Sequence, residues 1–151
     1  MNIRDLVTLC ILVLAAMTSI NAHAQGSRTY IDGRSEADQN VPPYSGAVLV
    51  GDTLYLSGTI GIDENREVPD DPADEARNAL NAIKRNVEAA GMTMDDIVSI
   101  QVFCSDVAHY RAFNDVYRTF FTKEYPARAF IGAGTLLFDA RFEVQGIAVK
   151  R

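Results

Sequence analysis

Cysteine and histidine are scarce in this chain of 151 residues, with two of each. Cys10 and His23 fall in an N-terminal segment that reads as a removable leader, which leaves Cys104 and His109 in the remainder. One cysteine cannot close an internal disulfide, even in an exported compartment. One cysteine with one histidine cannot build a Cys/His zinc cluster. A serine–histidine–aspartate triad would have to use His109, which sits in a helix-like context with no glycine-rich nucleophile elbow. Long apolar runs are lacking too: Leu6–Ile20 is mostly apolar but too short for a comfortable membrane span. Positive charge is the minority sign, with 14 Lys and Arg against 20 Asp and Glu and a formal net charge of −6. No lysine/arginine stripe is available to pair with phosphates, which argues against a nucleic-acid partner. A small anionic ligand held by a single arginine remains compatible with this balance.

What is present points to one globular domain. Hydrophobic residues make up 48 % and charged residues 23 %, which is the composition of a packed chain of single-domain length. The leader is placed at residues 1–24: one basic residue, the apolar run, then Ala22-His23-Ala24, a small-x-small cleavage pattern. Cys10 lacks the small residues expected just before a lipidated cysteine. Cleavage removes Arg4 and Asp5 together, so the charge stays at −6. The mature domain is then 25–151, periplasmic or secreted, with no membrane attachment.

Strand and helix signals follow in order. Arg28–Ile31 is a possible edge strand, and Val41–Gly46 is a loop by its prolines and glycine. Ala47–Val50 and Thr53–Ile62 are β-rich around a Gly51-Asp52 turn. Asp71 can cap a helix with Pro72 at its first position, and Asp74 and Glu75 carry the favourable sign in the first turn. Ala76, Leu80, Ile83, Val87 and Ala90 form one apolar stripe, and Gly91 is the stop. Ile97–Cys104 is a buried-type strand. Asp106 can cap a second helix whose apolar face is Tyr110, Phe113, Val116 or Tyr117, Phe120 and Phe121, ending at Tyr125-Pro126. Two strands within Pro126–Val149 complete a β-β-β-α-β-α-β-β order, an α+β fold with both helices on one face of a mixed sheet. Along the last strand Arg141, Glu143, Gln145, Ile147 and Val149 alternate with Phe142, Val144 and Ala148. Isoleucine and valine beside charges suggest that the second sheet face is buried against another subunit, which predicts a closed homo-oligomer.

Two residues in the closing strands invite chemistry. Arg128 can grip a carboxylate through two parallel hydrogen bonds, and Glu143 can hold a water or shuttle a proton. Read as residues on neighbouring strands, the two can equally form a plain salt bridge. Tyr44 after two prolines, Ser57 at a strand end and Asn114 on the second helix are weaker candidates. For them, and for Cys104 and His109, packing or a solvated surface is the simpler role.

The motifs PYS at Pro43–Ser45, SGTIG at Ser57–Gly61, AAG at Ala89–Gly91, NDVY at Asn114–Tyr117, FF at Phe120–Phe121, PAR at Pro126–Arg128 and FEVQGIAV at Phe142–Val149 together resemble the Rid/YjgF family of enamine/imine deaminases. The resemblance runs over roughly Val41–Arg151. It implies a fold similar to the small trimeric chorismate mutases, a homotrimer with pockets between subunits, and hydrolysis of 2-aminoacrylate-like enamines and imines to 2-keto acids and ammonia. It implies no cofactor and no metal. It puts the carboxylate-binding role on Arg128 and the water-positioning role on Glu143, with Tyr44, Ser57, Asn114 and Phe130 lining the substrate. A backbone carbonyl near Phe130 would help to hold the attacking water. The chain departs from the family at Gly46 and Thr59, where glutamine is common, at Phe130, where cysteine is common, and at Thr135-Leu136-Leu137, where arginine-leucine-proline is usual. Phe130 is expected to reshape or shrink the pocket. The alternative is a non-catalytic protein that holds a small carboxylate in the same pocket. Ribonuclease activity, attached to some relatives, is disfavoured by the acidic charge.

The leader carries its own test. Protein recovered from an exporting host is expected to begin at Gln25 by intact-mass measurement, and a mass that retains residues 1–24 would contradict the leader.

Overall fold

In the computed structural model of the chain, residues 27–32 and 42–151 are described. The leader at 1–24, with Cys10 and His23, lies outside them. Six strands form one sheet: β1 (Arg28–Ile31), β2 (Ala47–Val50), β3 (Thr53–Ile60), β4 (Ile97–Cys104), β5 (Ala127–Gly132) and β6 (Phe142–Val149). Among the described residues two α-helices, α1 (Pro72–Ala89) and α2 (Tyr110–Tyr117), follow β3 and β4 respectively. The expected element order and the mixed α+β class are borne out.

Local chemistry explains the boundaries. Gly51 adopts φ +58° in the β2–β3 turn, a conformation that favours glycine. The Asp71 carboxylate accepts the Ala73 N–H at 2.8 Å and caps α1. Gly91 closes it at φ +73°, its N–H bonded to the Glu88 carbonyl. The second helix is shorter than its apolar pattern suggests. Asp106 caps a 3-10 turn at Val107–His109 rather than the helix itself, and a second 3-10 turn at Arg118–Phe120 follows α2 well before Tyr125-Pro126. Aromatic spacing marks a buried face whether the backbone is α or 3-10, so it overstates the helix length.

The strand order is β1-β2-β3-β6-β4-β5, with β4 and β5 parallel and the other pairs antiparallel. This corrects one sequence expectation. β5 and β6 follow one another in the chain, but β4 lies between them, so Arg128 and Glu143 are not on neighbouring strands.

The core fills the space between the helices and one sheet face. Leu80, Ile83 and Val87 of α1 and Phe113 of α2 meet Leu54, Ile100, Val102, Phe142 and Val144, all essentially inaccessible to water. Burial of each such side chain contributes about 1.5–3 kcal/mol. The opposite face carries Tyr30, Val48, Tyr55 and Ile147 in register across four strands, with Tyr30 and Tyr55 exposed.

Glu75 is the one fully buried carboxylate among the described residues. It lies one turn before Ala79 and two before Ile83 on the buried side of α1, not on a solvated first turn. Its Oε1 accepts the backbone N–H groups of Arg141 (2.6 Å) and Phe142 (3.0 Å), and its Oε2 accepts Arg141 Nη1 at 2.8 Å. Arg141 also donates to the carbonyls of Pro69 and Asp70. Its side chain therefore turns onto α1 and the loop before it, instead of joining Glu143 on the open face. Removing one partner of a buried pair leaves the other charged and unsatisfied. Glu75→Ala is expected to lower stability by about 3–5 kcal/mol in denaturant titration; a loss below about 1 kcal/mol would show that this pair does not fasten β6 to α1.

Candidate active site

The sheet sorts the candidate residues into two groups. Arg128 is in register with Ile100, and Phe130 with Val102. Ile100 and Val102 point into the core, so Arg128 and Phe130 share the helix-covered side. Glu143 lies between the buried Phe142 and Val144 and so points to the opposite side. Within one chain, Arg128 and Glu143 lie on opposite faces of the sheet, and the salt bridge between them is not made.

Arg128, Asn114 and Phe130 form the first group, at the β5 edge. The Arg128 guanidinium carbon lies 4.6 Å from the Tyr117 ring centroid, 5.9 Å from that of Tyr110 and 6.0 Å from that of Phe130. Such cation–π contacts hold a cation by about 0.5–2 kcal/mol while leaving its N–H edge free for a ligand. Among the described residues Arg77, Lys84, Arg111, Arg141 and Arg151 form ion pairs, and Arg128 enters none of them. Phe130 packs edge-on against Tyr110 (4.9 Å) and Phe113 (5.7 Å). It therefore forms a wall beside Arg128 on the helix side, away from Glu143. Asn114 is buried on α2, and its amide is the largest of the influences that lower the pKa of the Tyr110 phenol. The Tyr117 hydroxyl is buried with no partner among the described residues, and burial pushes its phenol up to about 12.

Tyr44, Ser57 and Glu143 form the second group, in a cleft of about 750 Å³. Ser57 donates its hydroxyl to the Ser45 carbonyl at 2.7 Å, and its N–H bonds the Gly46 carbonyl at 3.0 Å. Its proton is thus committed to fixing the Tyr44 loop. Thr59 likewise turns its hydroxyl onto the Ser57 carbonyl. Gly58 is required by its neighbour: a Cβ there would stand 2.0 Å from Glu143 Oε1. The carboxylate thus lies directly over the β3 backbone. Arg66, Leu137 and Phe138 stand at the rim of the same cleft, the Arg66 guanidinium 5.8 Å from the Phe138 ring centroid. Arg66 and Phe138 both have positive φ, 66° and 59°.

The remaining sequence candidates are structural. His109 packs edge-on against Phe142. The Cys104 thiol is buried against the Asp106 carbonyl, and burial raises it above its usual range. Among the described residues no three His, Cys, Asp or Glu side chains converge as metal ligands, and no helix is long and apolar enough to cross a membrane.

The sequence profile of Endoribonuclease L-PSP matches residues 35–150. A 2-iminobutanoate/2-iminopropanoate deaminase of Dermatophagoides farinae is 41% identical over 115 residues, 75% of this chain and 90% of that protein. The protein of the same name from Escherichia coli K12 is 37% identical over 123 residues, 76% of this chain and 96% of that one. Among solved structures, the YjgF gene product of E. coli superposes with a TM-score of 0.74 at 35% identity, covering 83% of this chain and 100% of that one. E. coli TdcF with bound serine gives the same TM-score at 31% identity, covering 82% and 100%. The chain belongs to the Endoribonuclease L-PSP family, and its resemblance to the Rid/YjgF proteins is borne out.

Proposed function

We propose that the protein hydrolyses reactive 2-imino acids, and the enamines that tautomerise to them, to 2-keto acids and ammonia, in a site shared by two protomers of a homotrimer. The observation that carries this reading is the division of the site residues. An arginine suited to a carboxylate lies on one side of the sheet, and a carboxylate suited to water lies on the other. A small substrate can touch both only where one protomer's β5 edge meets the cleft of another. The names of the relatives supply the reaction class. The half-apolar open face, with Tyr30, Tyr55 and Ile147, supports packing of copies against one another.

In this reading Arg128 grips the substrate carboxylate with its planar fork. Glu143 accepts a proton from water as the water oxygen bonds to the imine carbon, which gives a carbinolamine. Return of that proton to nitrogen, with the hydroxyl proton passing through the same carboxylate, lets the C–N bond break; ammonia leaves and the keto carbonyl remains. One water is consumed and no oxidant or reductant is needed. Tyr44 and the Ser57–Gly58 backbone shape the water side, and Asn114 and Phe130 the carboxylate side. With the leader removed at Ala24, the reaction would take place in the periplasm or outside the cell.

Imino acids generated by an amino-acid oxidase provide the assay. The mature protein is expected to accelerate 2-keto acid release, with an authentic deaminase run alongside. Glu143→Gln should lower kcat by about 10²–10⁴-fold. Arg128→Ala should act mainly on KM and abolish product binding. Binding of 2-ketobutyrate with no acceleration for any imino acid tried would favour a carboxylate-binding protein instead.

A further inference from the structure

We propose that Tyr110 is a further substrate-binding residue, whose hydroxyl donates to the substrate carboxylate beside Arg128. The inference rests on the deaminase reading of the Arg128 side. Tyr110 opens α2, one turn before Asn114, and its ring packs edge-on against Phe130 at 4.9 Å. The side chain is 48% exposed, so the ring is held on one side while its rim faces outward. The Arg128 guanidinium carbon lies 5.9 Å from the ring centroid, and Asn114 and Arg128 act on the phenol oxygen. A guanidinium has only donors, and an amide that stabilises the phenolate turns its N–H groups to it, so neither neighbour takes the hydroxyl proton. Among the described residues the hydroxyl donates to no protein acceptor, so its proton is left to be offered outward, beside Arg128. An anion drawn to Arg128 supplies the acceptor.

The arrangement also makes Tyr110 a better donor than an ordinary phenol. The Asn114 amide and then the nearby Arg128 charge lower its pKa. The charged groups facing the hydroxyl are Arg128 of β5 and Arg118 just after α2; both are cationic and both act in the same direction. The aromatic spacing of α2 assigned Tyr110 to the apolar face, and the ring does pack there. The hydroxyl is what the pattern left without a task.

The test compares wild type, Tyr110→Phe and Arg128→Ala in the mature protein, by calorimetric binding of 2-ketobutyrate and by steady-state turnover of the corresponding imine. Tyr110→Phe keeps the ring contacts and should melt with the wild type. Its Kd and KM should rise about tenfold, the expected loss for one hydrogen bond to a charged group, with kcat little changed. The sign of the pH effect follows from the donor role. As pH rises through the lowered phenol pKa the proton is lost and the phenolate repels the carboxylate, so wild-type kcat/KM should fall on the alkaline side earlier than for an ordinary tyrosine. Tyr110→Phe should lack that limb. If the Phe variant does not fold, 3-fluorotyrosine at position 110 should move the limb to lower pH. Unchanged Kd and KM in Tyr110→Phe, or a limb that neither change moves, would overturn the proposal. Wild type that binds 2-ketobutyrate without turnover would refute the deaminase reading and leave the Kd comparison to decide on Tyr110. Wild type that binds no 2-keto acid would overturn both.

Discussion

The alternation of side chains across a pleated sheet governs where chemistry can occur in this protein. Arg128 is on β5 in register with the core residue Ile100, and Glu143 is on β6 between the core residues Phe142 and Val144. One therefore faces the helices and the other faces away, and β4 stands between their strands. Neither side chain can reach through the hydrogen-bonded sheet to its other face. A ligand that needs both groups has to be held between two copies of the chain. In the proposed trimer the open face and the β5 edge become parts of the site.

Each half is rigid for its own reason. On the Glu143 side, the buried Glu75 carboxylate and Arg141 fasten the start of β6 to α1. Gly58 then leaves room for the Glu143 carboxylate over β3, and the Ser57 hydroxyl ties the Tyr44 loop to the same strand. On the Arg128 side, three aromatic rings hold the guanidinium without neutralising it. A carboxylate in their place would satisfy the arginine and block a carboxylate ligand. Cation–π contacts hold the side chain and leave its charge available.

Much of this is legible in the sequence. The apolar stripe of α1, the Asp71 cap and the Gly51 and Gly91 turns depend on residues close together in the chain, and all fall where local rules put them. Arg128 and Glu143 stand out because an arginine and a carboxylate are unusual in otherwise apolar strands. Strand order is different: the insertion of β4 between β5 and β6 depends on contacts distant in sequence, and adjacency in the chain misleads there. Glu75 was hidden by its fitness for a helix first turn, although its place one turn before Ala79 on the buried stripe was the available signal. Tyr110 was hidden because a helical pattern records a ring and is silent about where its hydroxyl points.

The central claim is that each site takes Arg128 from one protomer and Glu143 from another. It is tested most directly with mixed oligomers of Arg128→Ala and Glu143→Gln chains carrying different tags and purified through both. In a ring of three, any mixed composition contains one site with both groups intact, so the account predicts about one third of wild-type turnover from two nearly inactive parents. Mixed oligomers as inactive as their parents would contradict it.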